Sequence, residues 1–154
     1  MFWFAVFLSL LTPVAGAAEK RVARSVFNDD GQVLAEAPGE NSAAFIKGWL
    51  DRESEAVPFT TFVYLACMPD ICFYDTTAGE LYGARNNRKD GVYIKGILDL
   101  LKQGTDPLQL VTEHMQAKGK EVLAAVRMGD THHVRLNKFD DLCSQFSIDH
   151  PEYV

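Results

Sequence analysis

Arg127-Met128-Gly129-Asp130-Thr131-His132-His133 puts a guanidinium, a carboxylate and two imidazoles within seven residues, directly after the apolar run Glu121 to Val126. In an α/β protein that is how a central strand delivers polar groups to a site at its carboxyl end. A buried arginine can hold a carboxylate or a substrate oxygen through two parallel hydrogen bonds. Arg127 therefore reads either as a substrate-binding group or as half of an ion pair with Asp29, Asp30 or Asp130. Asp130 is the catalytic candidate, with capping of the next turn as its structural alternative. His132 and His133 are adjacent, so in an extended segment they point apart. One of them, assigned as His132, can hydrogen-bond a substrate while the other faces solvent. A metal held by His132, Asp130 and a third group is the weaker reading, and neither a metal nor a cofactor is expected.

Two more apolar runs end in polar residues. Val22 to Phe27 stops at Asn28-Asp29-Asp30-Gly31, and Phe59 to Cys67 is followed by Asp70. Parallel strands would bring all three ends to one face, the geometry of a barrel-type site. Asn28 and Asp29 then join Arg127 and His132 as substrate-binding residues. A general acid–base pair needs two facing carboxylates, for which Asp29 and Asp30 are the candidate partners of Asp130. Tyr64, Phe73, Tyr74 and Tyr82 flank the long irregular stretch from Met68 to Gly91. Their rings could stack on sugars or simply pack that loop.

The elements that position these groups follow from periodicity. Phe59 to Cys67 is apolar on both faces, as a covered central strand should be. Ser42 could cap a helix with Phe45, Ile46, Trp49 and Leu50 on one side, followed by a charged linker from Asp51 to Glu55. Val92 to Lys102 has helical spacing and stops at Gly104. Asp106-Pro107 is a cap followed by proline at the favoured first position. Leu108, Val111 and Met115 then form a stripe that ends at Gly119. The resulting β-α-β-α-β order predicts an α/β fold with a parallel sheet.

The first residues, Met1-Phe2-Trp3-Phe4-Ala5-Val6-Phe7-Leu8 and on to Ala15-Gly16-Ala17-Ala18, have the apolar core and small-residue exit of a secretory signal peptide. The expected division is a signal over residues 1–18 and one domain over 19–154, secreted or periplasmic, with no stable membrane span. A formal charge of −6 argues against a nucleic-acid surface. Cys67, Cys72 and Cys143 allow one disulfide, and Cys67 with Cys72 could close a small loop. Separate buried thiols are the alternative.

Several segments, in order, resemble secreted bacterial glycoside-hydrolase-like (family 10-like) TIM-barrel proteins. Val126 to His133 is similar to that family's R-M-N-D-T-H segment, Gln103-Gly104-Thr105-Asp106-Pro107-Leu108 to its Q-G-T-D-P-L helix start, and His150-Pro151-Glu152-Tyr153 to its H-P-E-W stretch. Phe27-Asn28-Asp29-Asp30-Gly31 resembles the end of its first strand. Gly129 stands where the family has Asn, which removes one side-chain hydrogen bond from the site. The resemblance implies a (β/α)8 barrel and a carbohydrate ligand, met by Asn28, Asp29, Arg127, Asp130 and His132. Such a barrel takes ~250 residues, so this chain is expected to hold its first three or so β/α units. The acid and nucleophile would then come from further strands, and the chain alone would be inactive. A missing carboxyl-terminal part or an oligomer would cover the sheet edges. The alternatives are a non-catalytic extracytoplasmic sugar-binding or interaction protein and, more weakly, a metal-dependent hydrolase.

Overall fold

A computed structural model of the chain describes residues 23–68, 70–84, 94–129 and 143–153. In chain order the elements are β1 (Val26–Asp29), α1 (Gln32–Glu36), α2 (Ser42–Ala56), β2 (Thr61–Met68), β3 (Ile71–Cys72), β4 (Glu80–Leu81), α3 (Ile94–Lys102), α4 (Pro107–Ala117), β5 (Glu121–Val126) and α5 (Gln145–Asp149). A 3-10 turn over Pro151–Tyr153 follows α5.

β2 is the middle of the sheet. It pairs in parallel with β1 on one side and β5 on the other, and its end turns back antiparallel into β3. β4 then extends the β3 edge in parallel. Registers align Phe27, Phe62 and Val122 in one row and Asn28, Val63 and Leu123 in the next. Side chains alternate along strands, so the two rows face opposite ways. The first row carries the core. The Phe27 ring lies 5.8 Å from Phe62, nearly parallel to it, and 6.1 Å edge-on from Trp49 of α2. Ring pairs at these separations add to the gain from area burial alone. The face that carries the second row is more open, with Val26 56% and Leu123 42% exposed.

All four helices between the parallel strands belong to one layer. α1 touches α2 and α3, and α4 packs on α2, α3, β2 and β5. Close packing depends on small residues where backbones meet. A Cβ on Gly96 of α3 would lie 2.5 Å from the Ala37 Cβ just past α1, too close for any side chain there. Strands added in one direction, with their helices in one layer, leave the second face of the sheet without a helix among the described elements.

Local signals account for the bounds of α4 but not for the start of α2, where Asn41 rather than Ser42 is the N-cap and no side chain caps the helix. Asp106 caps α4 by accepting from the Gln109 amide at 2.7 Å, with Pro107 in the first turn. Gly119 leaves the helix at φ 71°, a conformation that favours glycine. α2 runs through the charged segment from Asp51 to Glu55, which sequence reasoning assigns to a linker. Asp51 is held there by His114 Nε2 on α4 at 2.6 Å and by Nζ of Lys118, the residue that ends α4, at 2.8 Å. The charged stretch is thus a helix turn facing a neighbouring helix. The irregular Met68–Gly91 stretch contains the β3 and β4 strands. Among the described residues, no helix is long and apolar enough to cross a membrane.

Candidate functional site

The carboxyl ends of β1, β2 and β5 meet, and three side chains there come into contact. Arg127 follows β5. Its backbone amide donates to the Cys67 carbonyl at 2.9 Å, its Nη2 pairs with Asp30 Oδ1, and its Nη1 reaches Met68 Sδ at 3.5 Å. A register shift between Leu65 and Cys67 makes this possible. Ala66 is the extra residue of a bulge, and such bulges bend strand ends and re-aim side chains. Its carbonyl accepts from Phe73 on the hairpin side instead of from β5. Of the two described residues that the sequence offers Arg127 as ion-pair partners, Asp29 and Asp30, the contact is with Asp30.

Asn28 and Asp29 part company. Asn28 lies in the open row with Val63 and Leu123 and is exposed. Asp29 faces the helix layer and is only 1% exposed. Its Oδ1 accepts from the Val33 amide at 3.1 Å, which satisfies an otherwise orphan donor in the first turn of α1. Its Oδ2 is buried without a partner. Burial raises the carboxyl to about 6, against the lowering effect of the Val33 and Gln32 amides, and the charges of Asp30 and Glu36 push the same way as burial. Asp29 is therefore a helix-capping group beside the site. Its near neighbour Tyr64 is held well above its ordinary value, first by burial and then by the Asp29 charge. It stays protonated and donates to the Phe73 carbonyl at 2.8 Å.

A cleft of about 420 Å³ opens beside this cluster, lined among others by Asn28, Asp29, Asp30, Glu36, Trp49 and Arg52. That volume falls within the range of small-molecule pockets, ~300–1,000 Å³. Its wall alternates planar polar groups with aromatic surface. Trp49 donates its indole N–H to Glu36 Oε2 at 3.0 Å, which fixes both side chains. Sequence reasoning passed over Glu36, Trp49 and Arg52. Trp49 is the core residue of α2 that its spacing implies, 4% exposed, with only an edge at the cleft, and α1, which carries Glu36, has no counterpart in the sequence reading. No local signal marks α1: its N-cap is Gly31, which makes no side-chain cap, and Asp29 reaches the Val33 amide from the preceding strand.

The aromatic residues of the long loop are divided by the fold. Tyr64, Phe73 and Tyr82 are buried, with the Phe73 and Tyr82 rings 5.4 Å apart, so packing is what these three do. Tyr74 is half-buried. A different set of rings is exposed. Phe146 stacks on Tyr153 at 6.0 Å and lies 4.7 Å from His150. Phe146 sits on α5, and His150 and Tyr153 follow it. The N-cap Ser144 bonds Asp70 at the turn leaving β2 through its hydroxyl, while Glu80 accepts from the Gln145 amide at 2.7 Å.

Asp130, His132 and His133 lie outside the described residues. Among the described residues there is no group of three His, Cys, Asp or Glu side chains that could hold a metal ion. No family model, no curated protein and no solved structure matches this chain.

Proposed function

We propose that the chain is the opening part of a secreted, glycoside-hydrolase-like (β/α) barrel and that it binds carbohydrate at the carboxyl end of β1. The observation that carries this reading is the cleft of about 420 Å³ beside the Arg127–Asp30 pair. Sugars present many hydroxyls and weakly apolar ring faces. Asn28 and Asp30 offer acceptors and donors, Arg52 and Glu36 offer charge-assisted ones, and the half-buried Phe27 offers apolar surface. Arg127 holds Asp30 from the other side. The architecture supports the barrel part of the reading. Parallel strands in the order β1-β2-β5, with one helix layer, follow the winding of a barrel wall, whose ligands sit at the carboxyl ends of the strands.

The described residues favour recognition over acid–base chemistry. Hydrolysis needs two free carboxyls flanking the bond to be cut. Here Asp29 is committed to the first turn of α1 and Asp30 to Arg127. A sugar-binding role, with turnover supplied by Asp130 or by further strands, is the consistent reading.

The test is a screen of the purified protein on an array of neutral and amino-sugar oligosaccharides. The expected result is selective retention of one glycan class, reduced tenfold or more by Asn28→Ala. A folded protein that retains no glycan would contradict the proposal.

A further inference from the structure

We infer that Cys67 and Cys72 are a disulfide-forming pair that staples the end of β2 to β3, a modification site that stands apart from the sugar-binding reading. Three independent features of the fold support it. The two residues are direct partners across the antiparallel β2–β3 hairpin. Their Sγ atoms are 3.1 Å apart. Both side chains are buried, at 7% and 3% exposure.

The pairing geometry is the decisive point. The Phe73 amide donates to the Ala66 carbonyl at 2.9 Å, so Ala66 and Phe73 form a hydrogen-bonded pair. Cross-strand pairs alternate, which makes Cys67 and Cys72 the non-hydrogen-bonded kind. There the Cα atoms approach to ~4.5 Å, within the range a disulfide spans. Closing the bond takes a sulfur movement of about 1 Å, which rotation about the two Cα–Cβ bonds can supply. The opposite wall is fixed. A Cβ on Gly79 would lie 2.6 Å from Cys72 Sγ and 2.8 Å from the Asp70 carbonyl. The glycine therefore leaves just enough room for the sulfur and keeps it turned toward Cys67.

The chemistry balances with a small-molecule disulfide as oxidant. One cysteine thiolate attacks a sulfur of the oxidant and expels a thiolate, giving a mixed disulfide. The second cysteine then attacks the protein sulfur of that intermediate and expels the second thiol. The net change is two protein thiols and one oxidant disulfide converted to one protein disulfide and two small thiols.

Burial, and then the neighbouring Cys67, push the Cys72 thiol up to about 12. A thiol of such high proton affinity attacks slowly and is a poor leaving group. The pair is thus suited to a persistent staple and poorly suited to catalytic redox cycling. The staple would also stiffen the strand end that positions Arg127, because the Cys67 carbonyl accepts the Arg127 amide.

The experiment exposes the full chain to oxidised glutathione under native conditions, then denatures it, alkylates it and measures intact mass. The chain has three cysteines. One alkylated thiol is expected after oxidation and three in a fully reduced control, with peptide mapping joining Cys67 to Cys72. Cys143→Ser should leave no alkylated thiol in the oxidised sample, and Cys67→Ser should leave two. The bridge should survive reduced glutathione at the concentration of the oxidised form that made it. Three alkylated thiols after oxidation, a bridge that includes Cys143, or a bridge lost to equimolar reduced glutathione would each overturn the inference. If Cys67→Ser does not fold, the wild-type mass and peptide map still decide the matter.

Discussion

The buried carboxyl of Asp29 makes stability depend on pH in an unusual direction. Its proton affinity is raised by the fold from 3.8 to about 6, chiefly by burial. The folded state therefore binds the proton more tightly than the unfolded chain does. Unfolding releases that proton between the two values, so stability falls as pH rises through this window. The contribution is whole below pH 3.8 and lost as pH rises through about 6. At ~1.4 kcal/mol per tenfold change in affinity, the loss comes to about 3 kcal/mol. Asp29→Asn keeps the acceptor for the Val33 amide and removes the charge. Its amide would leave donors in the space where Oδ2 has no partner, which costs ~1–3 kcal/mol at every pH. The informative quantity is therefore the change with pH. Urea unfolding of both proteins at pH 4 and pH 7.5 should show the stability difference moving by about 2.5 kcal/mol in favour of the variant at the higher pH, since part of the loss already lies below pH 4. By melting this is ~5–10 °C for a chain of this size. A difference that stays constant with pH, or moves in favour of the wild type, would refute the reasoning.

Two further substitutions test the frame around the site. Asp106 accepts from both the Gln109 amide and the Asp75 amide. Asp106→Ala should therefore cost ~1–2 kcal/mol in denaturant unfolding, with α4 fraying first in amide hydrogen exchange. Phe62 is fully buried between Phe27 and Phe59, and Phe62→Ala should cost ~3–5 kcal/mol, measured as a lowered urea midpoint with an unchanged slope.

The parallel framework was readable in the sequence because its signals are local. Glu121 to Val126 is a strand with the bounds its apolar run implies, although it is an edge strand among the described elements and mostly exposed rather than central, and Asp106, Pro107 and Gly119 delimit α4 as their chemistry requires. β1 is placed later than its apolar run suggests. Asn28 and Asp29 lie beyond the point where the apolar run stops, yet they continue the strand because Val63 and Tyr64 of β2 pair with them. The charged end of α2 was misread because charge normally marks solvent. Its partners His114 and Lys118 are more than sixty residues away. α1 is only five residues long and depends on a carboxylate from the preceding strand, so no periodicity could reveal it. At the site, the meeting of Arg127 with the first strand was foreseeable from parallel strand ends. The opposite facing of Asn28 and Asp29 was not, because it depends on where the strand stops. Trp49 and Glu36 became part of a cleft wall only once α1 and α2 were seen beside β1.

The most direct test of sugar recognition at the carboxyl end of β1 is calorimetric titration, with the glycan found on the array, of wild type, Arg127→Ala and Asp29→Asn. The Arg127–Asp30 pair is partly exposed, with the side chains 34% and 62% accessible, so its loss should cost the fold no more than ~1 kcal/mol. Affinity should nevertheless fall tenfold or more in Arg127→Ala and stay within about twofold in Asp29→Asn, whose side chain serves α1. Unchanged affinity in Arg127→Ala, or a loss confined to Asp29→Asn, would contradict the placement of the ligand beside the Arg127–Asp30 pair.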